Sequence, residues 1–147
     1  MHLIEARFCM LLHKRSYMQA KYNEATLNRP KGDRVLDAPF VQIDVEKYNR
    51  QLKKEPAWEK SDRNSITVFK TVGFTMVITR LHRDASMNNS VEGLLTIQVI
   101  EGSIECMVGT KTTTVEKNQL ITLHPEVVHT IRALEDSLLL LTNNIAI

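Results

Sequence analysis

The chain is poor in the residues on which disulfide scaffolds, phosphate-binding loops and nucleophile elbows depend. Its 147 residues include 2 cysteines and 5 glycines. Cys9 and Cys106 are too few for a disulfide framework, and Cys106 falls on the apolar side of an alternating stretch, where a small buried residue is expected. There is no Gly-x-Ser-x-Gly elbow, no glycine-rich phosphate loop and no Cys-x-x-Cys pair. The missing motifs exclude the usual serine- and thiol-based catalysts. The low cysteine content leads us to expect that the protein resides in the reducing cytoplasm.

The chain also has no large excess of positive or negative charge and no long apolar run. The 19 basic and 17 acidic residues leave a net charge of +2, without the basic stripe of a nucleic-acid-binding surface. The apolar stretch near the N-terminus has about five residues, far below the roughly 20 of a membrane span. His13, Lys14 and Arg15 follow that stretch, whereas a signal peptide has its basic residues in front. We therefore expect neither a nucleic-acid partner nor a membrane.

The sequence predicts a short arm followed by one domain. Residues 1 to 30 form the arm, and residues 31 to 147 form a single domain with a barrel core at 64 to 143. The arm has two interpretations: an amphipathic helix that docks on a partner, or an extension upstream of a true start at Met18. Pro30 and Gly32 lie among charged residues and indicate a loop before the domain.

One short helix is expected before the barrel. Residues 40 to 43 alternate like a strand, and Asp44 is placed to cap a helix that ends near Lys54, before Pro56. The apolar residues of this helix recur at helical spacing: Val45, Tyr48 and Leu52. Trp58 then lies in a charged loop, where we expect it to plug the edge of a core.

From residue 65 onward the sequence is typical of short antiparallel strands. Residues 66 to 69 and 74 to 81 flank a Val72-Gly73 turn, and residues 94 to 142 alternate with a period of two. Chain reversals are expected at Gly102, at Gly109 and at Asn118, since these residues tolerate positive φ. The apolar faces of the strands are these: Leu95, Ile97 and Val99; Ile104, Cys106 and Val108; Ile121 and Leu123. The sequence therefore predicts an all-β sandwich or barrel.

Residues 64 to 143 resemble the small single-domain cupins. The resemblance is carried by "VIEG" before a hairpin, by "VEKNQLITL", by the loop "HPEVVHTI" and by the closing "ALEDSLLLLT". It implies a double-stranded β-helix, or jelly-roll barrel, with a metal site in the barrel mouth. Gly102 matches the second glycine of the first motif, and His129 matches the last histidine of the second. Leu95 stands where the resemblance places a glutamate, and residues 88 to 90 (Asn-Asn-Ser) stand where it places a His-x-His pair.

The histidines are the candidate ligand-binding residues. The alternation that places Ile131 inward also places His129 inward, and His124 at the start of the same loop could join it. Arg80 and His82 share one strand face: they attract an anion in the barrel mouth if that face is inward, and are solvated if it is outward. The outward register is slightly favoured. The candidate site is thus His129, His124, His82 and Arg80.

A metal site is the less favoured interpretation. One histidine does not hold a metal, because stable sites take three or four protein ligands. Glu92 is best explained as a solvated turn residue, and Asn88 and Asn89 are best explained by a turn. If a metal does bind, we expect Zn, Fe or Mn on His129, His82 and Glu92. The default expectation is no cofactor.

The sequence therefore predicts a cupin-fold module that binds an unknown small molecule in the barrel mouth or has a structural role. The alternative is a metal-dependent cupin enzyme, of the dioxygenase or isomerase class. An interaction protein that uses its arm is a third possibility. We expect a homodimer, because residues 138 to 141 are consecutive leucines and the outward ones need cover from a partner barrel or from the helix at 44 to 54.

Overall fold

A computed structural model of the protein describes residues 20 to 30 and 32 to 146, in two compact units divided after Ile43. The predictions made for the first 19 residues lie outside the described ones. In the first unit, strands β1 (Lys21–Asn23) and β2 (Arg34–Asp37) pair antiparallel. The strand predicted at residues 40 to 43 is wrong: these residues lie outside any strand. Pro39, which has no N–H to donate, precedes them and cannot continue the ladder of β2.

The second unit, from Asp44 onward, starts with two helices and continues with strands alone. Its elements are α1 (Val45–Lys54), α2 (Pro56–Lys60), β3 (Arg63–Thr71), β4 (Phe74–Leu81), β5 (Ser86–Asn89), β6 (Leu94–Glu101), β7 (Ser103–Val108), β8 (Lys111–Glu116), β9 (Leu120–Leu123), β10 (His129–Ala133) and β11 (Ser137–Asn144).

The predicted helix is confirmed at both ends. The Asp44 side chain accepts a hydrogen bond from the backbone N–H of Lys47 at 3.1 Å, which satisfies a first-turn donor that has no partner inside the helix. The prediction of a loop around Trp58 is wrong, because Pro56 starts the second short helix and does not merely end the first. Proline fits a first helical turn, where its missing N–H costs nothing.

The strands of the second unit form two antiparallel sheets. One sheet has the order β5-β10-β7-β8, and the other has the order β3-β4-β11-β6-β9. Their inner faces share one core, which confirms the predicted all-β barrel and its apolar faces. The core is built from Leu81, Ala85, Leu95, Ile97, Val99, Ile104, Cys106, Val115, Leu123, Ile131, Ala133 and Leu139.

All three predicted reversals, at Gly102, Gly109 and Asn118, take up the left-handed backbone conformation that the sequence suggested. Gly102 has φ 86° between β6 and β7, and Asn118 has φ 67° between β8 and β9. The predicted turn at Asn88 and Asn89 is wrong, because both residues lie in β5 and pair with β10. Asparagine tolerates turns, but here the exposed edge strand is held in line by its ladder to β10.

The leucine-rich strand β11 has its inward face and part of its outward face covered within the single chain. Leu139 lies in the barrel core, whereas Leu138 lies on the opposite face and is 0% exposed. On that face it lies between Arg80 on β4 and Glu101 on β6. Leu140, the other outward leucine, is half-buried. The premise that outward leucines need a partner barrel is therefore wrong for Leu138, and the homodimer stays a prediction.

Candidate functional site

His129 lies at the inner face of the barrel, near one end. It begins β10 and alternates with Ile131 and Ala133, both of which belong to the core. The histidine is 4% exposed. Its Nδ1 lies 3.0 Å from the carbonyl oxygen of Val127. Because a carbonyl only accepts, Nδ1 carries the proton of the neutral ring, and Nε2 is then a hydrogen-bond acceptor.

Two loops close this end of the barrel, which we call the barrel mouth. Residues 90 to 93 join β5 to β6, and residues 124 to 128 join β9 to β10. The loops are tied together by a hydrogen bond of 2.7 Å from the Glu126 N–H to the Val91 carbonyl. Glu126 has φ 65°, an unusual conformation for a residue with a side chain. Val91 and Val127 pack against the core from these loops.

The inner face at the barrel mouth combines polar and apolar side chains, with one lysine at its exposed edge. Asn89 is the register partner of His129 on β5. On the facing sheet, a row of paired residues crosses all five strands, from the exposed Lys70 on β3 to Leu123 on β9, and Leu95 and Leu123 of this row belong to the core. The seven positions of this face are Lys70, Thr75, Asn89, Leu95, Leu123, His129 and Asn143, of which Lys70 and Asn89 are exposed.

Asn143 continues the inward face of the leucine strand into the barrel mouth. Its Oδ1 is buried and has no hydrogen-bond partner among the described residues. It lies against Gly93, where a Cβ would overlap both this oxygen and the backbone oxygen of Asn144. Only a glycine therefore fits above the Asn143 amide. A buried acceptor without a donor costs about 1 to 3 kcal/mol.

The remaining sequence candidates at this end lie at its surface. His124 is exposed, and its backbone carbonyl accepts from the Val127 N–H at 3.3 Å. Glu92 is exposed in the 90 to 93 loop, as expected of a solvated turn residue. Glu126 is also exposed, so each mouth loop carries a carboxylate that faces solvent.

Arg80 and His82 do not line the barrel mouth. Arg80 is on the outer face of β4, but it is 6% exposed, so neither of the two predicted environments is right. Helix α1 covers it: the guanidinium Nη1 donates to the Asn49 side-chain oxygen at 2.5 Å. Nη1 also lies 3.9 Å from a Glu101 carboxylate oxygen, and Nε is buried without a partner in the described part of the chain.

His82 and Trp58 form a stacked pair beside this arginine. Their ring centroids are 3.4 Å apart with an interplanar angle of 14°, and His82 Nε2 lies 2.6 Å from the Trp58 carbonyl oxygen. The Arg80 guanidinium carbon is 4.9 Å from the centroid of the Trp58 ring, within the range of a cation–π contact. Arg80 and His82 thus attach the helices to the outside of the sheet.

The alternative metal set is not assembled. No group of three or more His, Cys, Asp or Glu side chains that could hold a metal ion occurs among residues 20 to 30 and 32 to 146. The set of His129, His82 and Glu92 is therefore wrong, because His82 faces Trp58 outside the barrel and Glu92 faces solvent. The prediction that the protein carries no cofactor stays a prediction.

The geometry brings in two residues that the sequence analysis missed at the mouth, Asn143 and Gly93. The alternation through Leu139 and Leu141 would have placed Asn143 inward, had it been extended beyond the leucines. Nothing in the sequence shows that Gly93 lies against it, because that approach depends on how the 90 to 93 loop closes.

Solved structures share this fold. A cupin superfamily protein from Desulfitobacterium hafniense superposes with a TM-score of 0.55 at 9% identity, covering 57% of this chain and 78% of that one. An RmlC-like cupin from Shewanella frigidimarina gives 0.54 at 14% identity, with 58% and 78% covered. The cupin_2 domain of an XRE family transcriptional regulator from Enterobacter cloacae gives 0.54 at 15% identity, with 59% and 100% covered.

These similarities confirm the predicted cupin fold. At such low identity they show the fold alone. No family model matches the chain, and no curated protein matches it. Among the described residues, no helix is long and apolar enough to span a membrane.

Proposed function

We propose that this cupin-fold protein is a small-molecule-binding module whose ligand enters the barrel mouth beside His129. The observation that carries the proposal is the state of the imidazole: it is buried, held by the Val127 carbonyl through Nδ1, and left with an acceptor at Nε2. An imidazole that is fixed through one ring nitrogen and presents the other at the barrel mouth favours a ligand there.

Two further features support binding without a resident metal. Asn89, the register partner of His129, and the row on the facing sheet supply amides, a threonine, a lysine and aliphatic side chains, which do not complete a set of ligands for Zn, Fe or Mn. The candidates that could have added charge, Arg80 and Glu92, lie outside the barrel. Residence in the cytoplasm and pairing as a homodimer belong to the same proposal.

The test is an NMR titration of protein in which the histidine rings are isotopically labelled. Mixtures of neutral, anionic and cationic molecules of sugar size are added, and the resonances of His129 and His124 are compared. We expect at least one mixture to shift His129 and to raise the unfolding temperature, with both effects lost in His129→Leu and kept in His124→Leu. If no mixture perturbs His129, or if binding survives His129→Leu, the proposed function is wrong.

A further inference from the structure

We propose that the loop of residues 90 to 93 is a lid that opens the barrel mouth while the rest of the barrel stays folded. The lid closes against the loop of residues 124 to 128, which stays in place. This inference rests on the proposed function for its purpose, since an open lid admits a ligand to His129. It adds how the site is reached and which residue controls the opening.

The first argument is that the two loops are held unequally. The 124 to 128 loop is fixed from inside the barrel, because the Val127 carbonyl accepts a hydrogen bond from Nδ1 of the buried His129 at 3.0 Å. The lid is joined to that loop by the 2.7 Å hydrogen bond from the Glu126 N–H to the Val91 carbonyl, and no other hydrogen bond joins the two loops in the described part of the chain. Opening the lid therefore breaks one hydrogen bond and leaves the other loop in place.

The second argument is that the closed lid has a cost at Asn143. Oδ1 of this asparagine lies buried against Gly93 of the lid and has no hydrogen-bond partner among the described residues. Water reaches the oxygen when the lid is open, so closing the lid removes a hydrogen bond that the open arrangement has. The packing of Val91 against the core opposes this cost and holds the lid closed. Asn143 thus shifts the balance towards the open lid.

The third argument is that Gly93 lets the lid lie directly on strand β11. A Cβ at this position would overlap Oδ1 of Asn143 and would lie 2.7 Å from the backbone oxygen of Asn144. The side chain of Asn143 can turn away from such a Cβ, but the backbone of Asn144 cannot, because it is paired with β4 and β6. Any residue larger than glycine therefore forces the lid away from its closed position.

The experiment is amide hydrogen exchange on the full chain, followed by NMR without any ligand. The reporter is the N–H of Glu126, which loses its acceptor whenever the lid opens. The reference is the N–H of Leu141 on β11, a strand paired on both sides, which exchanges when the barrel unfolds. We expect the protection factor of Glu126 to be at least about 10²-fold below that of Leu141. Low urea should speed the exchange of Leu141 alone, because lid opening exposes little surface.

Two neighbouring asparagines on opposite faces of β11 supply a matched pair of variants. Asn143→Leu removes the unsatisfied oxygen, so it is expected to favour the closed lid and to raise the protection factor of Glu126 about tenfold. Asn144→Leu changes the exposed neighbour on the outward face and is expected to leave that protection factor unchanged.

Two positions of the lid itself supply a second pair, which decides the question if the leucine variant fails to fold. Gly93→Ala is expected to lower the protection factor of Glu126 at least about tenfold while Leu141 stays protected, because the added Cβ excludes the closed lid and leaves the barrel intact. Glu92→Ala, at an exposed position of the same loop, is expected to change neither value.

The outcomes separate this inference from the proposed function. If Glu126 exchanges with the protection factor and urea dependence of Leu141, the mouth opens only by unfolding and the lid is wrong. Equal effects of Asn143→Leu and Asn144→Leu overturn the role of Asn143. A lid that opens in a protein in which no molecule shifts His129 leaves this inference standing and the proposed function wrong. A ligand that shifts His129 in a protein without local opening has the reverse meaning.

Discussion

The guanidinium of Arg80 and the side-chain amide of Asn49 are hydrogen-bonded across the interface between helix α1 and the five-stranded sheet. Both residues are buried, at 6% and 1% exposed. The amide oxygen is therefore a principal partner of a charge that has left water, and the more distant Glu101 carboxylate is 45% exposed. This pair, rather than an apolar contact alone, fixes the helix on the outside of the barrel.

The first prediction follows from the difference between the two partners of Arg80: Asn49 is close and buried, and Glu101 is more distant and partly exposed. Asn49→Ala is expected to lower the free energy of unfolding by about 1 to 3 kcal/mol, because it leaves a buried guanidinium short of an acceptor. Glu101→Gln is expected to cost less than about 1 kcal/mol, because the exposed carboxylate is screened by water. Urea denaturation measures both values. A larger loss for Glu101→Gln than for Asn49→Ala would contradict this account of the interface.

Cys106 is expected to be inert in the folded protein. It is 1% exposed on the inner face of β7, and this burial raises the pKa of its thiol. In a Cys9→Ser background, Cys106 is the sole thiol, and its labelling by an aromatic disulfide reagent should be at least about 10³-fold slower than in urea, since reaction requires opening of the barrel. Rapid stoichiometric labelling under native conditions would show that the inner face is open to reagent.

The raised pKa of the Cys106 thiol also determines how the free energy of unfolding changes with pH. The thiol of Cys106 has a higher pKa in the folded state than in the unfolded state. Its contribution to the free energy of unfolding is therefore complete below the unfolded pKa and is lost as the pH rises above that value. Stability should therefore begin to fall above about pH 8.5, where the unfolded thiol ionises and the folded one does not. The fall attributable to the thiol is absent in Cys106→Val, which is the control.

Protein purified without an affinity tag is expected to carry no stoichiometric transition metal. Leu95 and residues 88 to 90 stand where the cupin resemblance places a carboxylate and a His-x-His pair, and Asn89 is the register partner of His129. Elemental analysis measures this directly. About one zinc, iron or manganese per chain that disappears in His129→Ala would overturn the prediction and would favour the enzyme alternative.

The last prediction is association as a homodimer. Leu140 is the outward leucine of β11 that remains half-buried in the single chain. A partner subunit that covers this face would therefore bury additional apolar surface at Leu140. Light scattering at micromolar concentration should give the mass of a dimer. Leu140→Lys should give a folded monomer, and Leu120→Lys, on the exposed edge strand β9, should leave the mass unchanged. A monomeric full-length protein would refute the dimer and leave helix α1 as the cover for this face.

The sequence by itself determined the strands with alternating apolar residues in the barrel, the reversals between them and the first helix. A period of two is a direct consequence of strand geometry, and Gly102 and Asn118 are among the few residue types that tolerate the backbone angles of tight reversals. The helix that starts at Val45 could be predicted equally well, because the Asp44 side chain accepts a hydrogen bond from the backbone N–H three residues further along. Each of these signals is local, so no knowledge of distant contacts is needed to interpret it.

Only the tertiary structure decided what surrounds the polar side chains. Alternation places Arg80 and His82 on one face, but whether that face is wet depends on helices that precede them in the chain and fold back over the sheet. The same holds for Asn143: its position in β11 is local, yet its unpaired oxygen follows from the approach of Gly93, fifty residues earlier in the chain. Burial and hydrogen bonding of a side chain are set by neighbours remote in sequence, which residue types and spacing do not encode.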